Sequence, residues 1–377
     1  MHFKFFNKES SFMTNKYLQI AFFSTLLGSW GLSIADEVHP PCFKVYVPNP
    51  CTANEFTVGA LFLRPGGSND YAVLVSPFNP NVATPILSPG WEPKGISPSF
   101  NANFLLNFRH IFSNSGTDLT LSWIHMRTSD NASFPVDRNP PPAQQMTGPF
   151  WNIGPDAGTT SSANGQVKYH YDVINGEIGK TINFDPDLQI RLFTGLSGLW
   201  IQQKLNADFS GTDPILDFYT FGIATKSKFS AAGVRLGFNT EYQWWQKIKF
   251  ISSFAGNIFV GSQQPYTSTT GTGTVLTDAG IPVNHQFISH ESYTQLVPAL
   301  DGKLALKFSS NCYHKTFSIE GGYMASVYVN AIQNYVPSTY VPDSLGIVTG
   351  SVFLQSLLKT TDSFSVDGPY VTFSLTL

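Results

Sequence analysis

The chain has 377 residues, of which 12% are charged and 14% aromatic, with 32 Phe, 15 Tyr and a net charge of −3. A soluble domain ordinarily carries about 25% charged residues, and the slight negative charge argues against nucleic acid as a partner. Mean hydropathy close to zero excludes a bundle of transmembrane helices and suits strands with one face to lipid and one to water.

The N-terminus reads as an export signal. Lys16 precedes an apolar run from Tyr17 to Ile34, and Ser33 and Ala35 fit the small-x-small pattern before a cleavage point. The organisation expected is a signal peptide over residues 1–35, with Met13 as the more usual start, a periplasmic Pro- and Cys-containing segment over 36–54, and a barrel over 55–377. Export places the cysteines in an oxidising compartment. Cys42 and Cys51, in PPCFKVYVPNPC, are candidates for a short disulfide loop, and the odd Cys312 for an intermolecular bridge.

From there the chain alternates. Glu55–Arg64 is the first strand expected. Ser99–Phe112 puts Phe100, Ala102, Phe104, Leu106 and Phe108 on one face and Asn101, Asn103, Asn107 and Arg109 on the other, the period of a strand between unlike media. Asp118–Arg127 follows, then Gln166–Ile182, whose untidy parity predicts a bulge near Asn175-Gly176. Leu188–Gln203, Ser227–Glu241, Lys247–Val260, Tyr293–Phe308 and Lys315–Asn330 repeat the pattern. Gly368–Leu377 closes it, with Val371, Phe373 and Leu375 opposite Tyr370, Thr372 and Ser374.

Short connections such as Ser113–Thr117 and Asn183–Asp187 alternate without exception with long ones such as Thr128–Gly165 and Gly261–Ser292. That rhythm is foreign to a compact soluble domain and expected of an outer-membrane barrel with periplasmic turns and surface loops. The fold class is therefore all-β: a transmembrane antiparallel up-and-down β-barrel of about ten strands, within a range of roughly 8–14. Tyr71–Ser76 and Ile347–Leu354 are candidates for further hairpins.

Several segments resemble a known family. VGALFLRPGG near Val58, SKFSAAGVRLGFNTEY from Ser227, VPALDGKLAL from Val297, IEGGYMASVYVNAI from Ile319 and the closing DGPYVTFSLTL are similar to the Legionella-type major outer membrane proteins. So is the exported, Pro-rich, two-cysteine N-terminus. The resemblance spans residues 42–377 and implies a pore-forming outer-membrane β-barrel, often disulfide-linked between subunits.

Motifs for chemistry are sparse. His170 and Asp172 share one face of a strand and form a candidate acid/base pair, although a polar rim pair is the more ordinary reading. HExxH, paired CxxC and GxSxG are missing. Asp213 and Asp217 lack the dense oxygen spacing that calcium requires. Trp244 and Trp245, at a turn, read as interface anchors.

Strand parity assigns Arg109, Arg191, Arg235, Glu241, Lys249, Asp301, Lys303, Lys307 and Glu320 to the lumen. Their mixed signs predict weak ion selectivity. The function expected is passive diffusion of small polar solutes through an outer-membrane pore, without catalysis, metal or cofactor. The alternatives are an envelope-structural or adhesin barrel acting through its loops and, less favoured, a barrel hydrolase. The partners expected are outer-membrane lipid, further copies of the chain, peptidoglycan or surface ligands. A ten-stranded bore is narrow, because eight strands are filled by side chains while about 16–18 leave a channel.

Overall fold

The computed structural model describes residues 46–48, 52–75, 91–113, 115–135, 145–147, 160–213, 217–272, 285–289, 291–312, 315–340 and 353–377. Among them the strands are Ala53–Gly66 (β1), Asp70–Val75 (β2), Trp91–Gly95 (β3), Asn101–Ile111 (β4), Thr117–Pro135 (β5), Gln145–Thr147 (β6) and Thr160–Asp185 (β7). They continue with Leu188–Asp213 (β8), Asp217–Trp245 (β9), Ile248–Thr272 (β10), His285–Ser289 (β11), Tyr293–Cys312 (β12), Lys315–Tyr340 (β13) and Phe353–Thr376 (β14).

Ten of these strands close a ring in the order β1-β4-β5-β7-β8-β9-β10-β12-β13-β14. Every neighbour is antiparallel, and the ring shuts where β1 pairs with β14, from Glu55 opposite Thr376 to Gly66 opposite Ser365. Over the stretch where β1 pairs with β14 and β4 with β5 the ring has no free edge, the condition under which strands cross lipid; beyond it, Phe353–Phe364 of β14 and Met126–Pro135 of β5 run on past their pairing with β1 and β4. β11 prolongs the wall beside β10. β2, β3 and β6 form a separate three-stranded sheet. The segment around Tyr71 thus forms an antiparallel pair with β3, as expected, but in that separate sheet and not as part of the barrel. Residues 1–45, with the signal segment and Cys42, lie outside the described residues, as do Cys51 and 341–352.

The walls are longer than a membrane needs. At about 3.3 Å per residue and a tilt of about 40°, a 26-residue strand such as β7 rises on the order of 65 Å, against an apolar band about 25 Å tall. Polarity along the wall shows where the band ends. Near the short turns the outward residues are apolar: Ile174 and Ile178 on β7, Leu192 and Leu196 on β8, Val234 and Leu236 on β9. Leu196 and Leu236 are 69% and 68% exposed, an arrangement suited to lipid. The residues between them point inward and are polar: Asn175, Glu177, Arg191, Ser197 and Arg235.

Towards the long loops the same parity carries the opposite chemistry. Val167, Tyr169, Tyr171 and Val173 on β7, and Leu199, Ile201, Leu205 and Phe209 on β8, are buried inside, while Lys168, Lys204, Lys226 and Lys228 face out. The inside of this outer half is mainly apolar, with Gln203, Thr225, Ser227, Gln263 and Gln333 buried among the apolar side chains, and Lys residues on the wall around it face out. The outward Trp123 and Trp200 stand where the two regimes meet, as aromatic girdles do at membrane interfaces.

The inversion explains the untidy parity around Asn175-Gly176. β7 pairs with β5 and β8 through that point without a register shift, so the expected bulge is not there. A real irregularity lies on β13 between Tyr328 and Ile332, where Asn330 adopts φ 60°, the left-handed conformation that Asn tolerates better than most residues.

Candidate functional site

The membrane-level lumen holds a chain of ion pairs that winds once around the bore, beginning and ending on β12 at Lys307 and Asp301. Lys307 on β12 lies 3.7 Å from Glu55 on β1, and Glu55 lies 3.8 Å from Arg109 on β4. Arg109 donates to Asp118 on β5 at 2.7 Å. The Asp118 carboxylate also accepts from Arg191 on β8, through Nε at 2.9 Å and Nη2 at 2.6 Å. Arg191 donates on to Glu177 on β7 at 3.1 Å, and Glu177 accepts from Arg235 on β9 at 2.9 Å. Arg235 then bonds Asp301, which returns the chain of contacts to β12.

Four cations and four carboxylates therefore alternate around the bore and cancel. Two further pairs are also neutral, Lys249 with Glu241 at 3.0 Å and Lys303 with Glu320 at 2.8 Å. Phe193 lies beneath both the Arg191 and Arg235 guanidinium groups, at 5.0 and 5.6 Å, a cation–π contact that fixes the planes of both forks. At Gly179 a Cβ would meet the Arg191 guanidinium and push it from its place.

The ring surrounds a cavity of about 240 Å³. On the long-loop side this space ends at an aromatic layer of Tyr171, Phe259, Tyr328 and Phe364, each at most 1% exposed. β7 and β13 are five places apart in a ring of ten, so they are opposite walls. Their Tyr171 and Tyr328 hydroxyls nevertheless meet at 2.6 Å. Phe364 packs on both rings and Phe259 on Tyr328, with centroids 5.7–6.0 Å apart.

Above this layer, Tyr169 bonds Asn69, and Gln203 donates to Tyr169 at 2.9 Å and Asn69 at 3.1 Å. Tyr71 of the three-stranded sheet lies flat on Gly165, where a Cβ would clash with its ring. The outer core is thus tied to the small sheet by buried hydrogen bonds and packing.

All nine residues assigned to the lumen by parity face the barrel interior. Arg109, Arg191, Arg235, Asp301, Lys303, Lys307 and Glu320 line the cavity, and Glu241 and Lys249 pair beside it. Sequence reading missed Glu55, Asp118 and Glu177, the carboxylates that complete the ring. Two of them sit at strand starts and the third in the segment with untidy parity. A signal was available: a buried guanidinium demands a carboxylate, and β5 and β7, beside β8, carry Asp118 and Glu177 near Arg191. His170 and Asp172 lie on the outside of the wall, not in the lumen. Trp244 and Trp245, at the β9–β10 turn, are 70% and 72% exposed. Cys312 ends β12, and Asp213 pairs with Asp217 at the β8–β9 tip; the side chains of all three lie outside the described residues.

A family model described as the Legionella pneumophila major outer membrane protein precursor matches residues 46–377. The chain belongs to this family. It is an outer-membrane barrel protein of the bacterial envelope, associated with the lipid of that membrane. No curated protein matches. Among solved structures, the Escherichia coli outer membrane protease OmpT is 7% identical over 90% of this chain and 98% of its own, with a TM-score of 0.37. A Pseudomonas aeruginosa FadL homologue is 9% identical over 86% and 90%, at 0.25, and the P. putida toluene transporter TodX 9% over 85% and 89%, at 0.23. Similarities this remote carry no functional argument.

Proposed function

We propose that this family member is an envelope barrel with a closed lumen, acting at the cell surface through its outer half. The observation that carries this reading is the Tyr171–Tyr328 contact, in which opposite walls of the ring touch through buried hydroxyls. A barrel built only to pass solutes has no need of an apolar core extending beyond the lipid. Such a core does suit a barrel whose outer half is itself the working part. Catalysis forms no part of the reading.

A second reading, passive diffusion of small polar solutes, is favoured by the polar, charge-ringed cavity on the turn side of the aromatic layer. It requires that layer to move. Planar-bilayer recording of the folded protein separates the two. The closed reading expects no conductance steps from the wild type and a leak once Tyr171 and Tyr328 are both replaced by Ala. Steady conductance from the wild type would establish the pore reading instead. In that case, replacing Arg109, Arg191 and Arg235 with Gln should shift the reversal potential towards cations.

A further inference from the structure

The outer face of the wall carries a compact group that the lumen does not use: His125 on β5 with His170 and Asp172 on β7. His125 is directly opposite Asp172 in the antiparallel register, and His170 follows two residues before Asp172 on the same face. The Nδ1 of His125 lies 2.7 Å from Oδ1 of Asp172, and the Nε2 of His170 lies 2.6 Å from Oδ2. One donor atom from each of the three residues falls within 4.8 Å of the others.

The second contact is close enough for a hydrogen bond but is not aligned as one. The His170 Nε2 atom is buried and has no hydrogen-bond partner. Two ring nitrogens thus flank one carboxylate, the His125 nitrogen hydrogen-bonded to it and the His170 nitrogen unsatisfied. Their surroundings fix them there. The Trp123 indole donates to Oδ1 of Asp172 at 3.1 Å. The Phe104 ring lies against His125, with centroids 5.1 Å apart and planes inclined by 30°. The strands are part of a closed wall, so the ligand positions are held before anything binds.

We propose that His125, His170 and Asp172 form a site for a divalent transition metal of the zinc class, on the outer surface just above the lipid band. The donor set suits such an ion: two imidazoles and a carboxylate match zinc sites that keep a fourth position for water, whereas calcium and magnesium take oxygen ligands. In a tetrahedral zinc site, bonds of about 2.0–2.1 Å put ligand atoms about 3.3 Å apart, a spacing that small side-chain rotations reach here. The side chains of His125, Asp172 and His170 are 19%, 17% and 38% exposed, so the group is sheltered but opens outward. The indole of Trp123 then serves as the outer partner that orients the ligating carboxylate.

The test uses untagged, folded full-length barrel in detergent micelles, titrated with Zn²⁺ against a chromophoric chelator. We expect one Zn²⁺ per chain, and loss of that stoichiometric binding in H125Q, H170Q and D172N. W123F should weaken it by about tenfold, the lower end for removal of an outer-shell partner, and R127Q, on the same face, should leave it in place. Heat-modifiable electrophoretic migration confirms that each variant is folded. Where a variant does not fold, electron spin-echo spectroscopy of the Cu²⁺-loaded wild type counts the imidazoles on the metal, and two are expected. Lack of stoichiometric Zn²⁺ binding, binding that survives all three ligand substitutions, or an imidazole count other than two would overturn the proposal.

Discussion

On β8, Leu192 and Leu196 point out while Arg191 and Ser197 point in; further along the same strand, Lys204 points out and Leu205 and Phe209 point in. Nothing in the backbone changes between the two regions, since β8 pairs with β9 in unbroken register throughout. What changes is the medium outside. Next to lipid, the wall turns its polar residues inward, and these must neutralise one another because a lone charge in a low-dielectric interior is prohibitive. Next to water, the wall turns its apolar residues inward and gains the ordinary hydrophobic burial of a soluble core. One chain thus stabilises its two halves by different means.

The largest effect should come from breaking the charge ring. Glu177 holds both Arg191 and Arg235, and Glu177→Ala leaves two buried guanidinium groups short of a carboxylate. The expected loss is about 3–5 kcal/mol, measured by reversible urea unfolding from lipid vesicles. A change below about 1 kcal/mol, the size of an exposed pair, would mean that water already solvates the ring.

Next in size is the lipid face. Leu236→Arg should cost about 2–4 kcal/mol if the residue lies near the bilayer midplane, read in the same assay. A smaller loss sharpens the comparison by showing that the band ends below Leu236.

Gly179→Ala should cost about 1–3 kcal/mol, the range for inserting carbon into a filled space, because the new methyl meets the Arg191 guanidinium. Combining it with Arg191→Ala should recover part of that loss, and strict additivity would mean the two do not touch.

Smallest is Lys226→Leu, on the same face of the same strand as Leu236 but in the outer half. It should move stability by no more than about 0.5 kcal/mol. If this substitution instead stabilised the vesicle-bound protein strongly, lipid would reach further up the wall than the polarity inversion indicates.

The sequence was readable where one rule held. In the lipid-facing half, apolar residues alternate with Asn, Arg and Ser, and strand boundaries, turns and lumen parity all follow from that period. The outer half was cut short. The strand expected to end at Gln203 runs to Asp213, and that expected to end at Val260 runs to Thr272. A reader looking for apolar-out strands sees Lys204 and Asn206 on the outer face and stops. The same habit turned the inversion on β7 into an expected bulge and left His125, which shares parity with the lipid-facing Leu121, without a role. The Tyr171–Tyr328 contact could not be read at all, because it depends on which strands stand opposite each other once the ring is closed.

The seam between β1 and β14 has a consequence for assembly. The Asn54 amide donates to the Leu377 carbonyl at 3.0 Å, and Leu377 donates back at 2.9 Å. Every other seam of the ring joins strands adjacent in order along the wall and can form as a local hairpin or a short crossing. This one joins positions separated by almost the whole chain, and closing a flexible loop of that length costs about 5 kcal/mol in chain entropy, before any intervening strands shorten it. Until the seam forms, two strands offer unpaired amides and carbonyls that lipid cannot satisfy. Ring closure therefore waits on the pairing of Val371, Phe373 and Leu375 with β1, the contact of longest sequence separation in the wall.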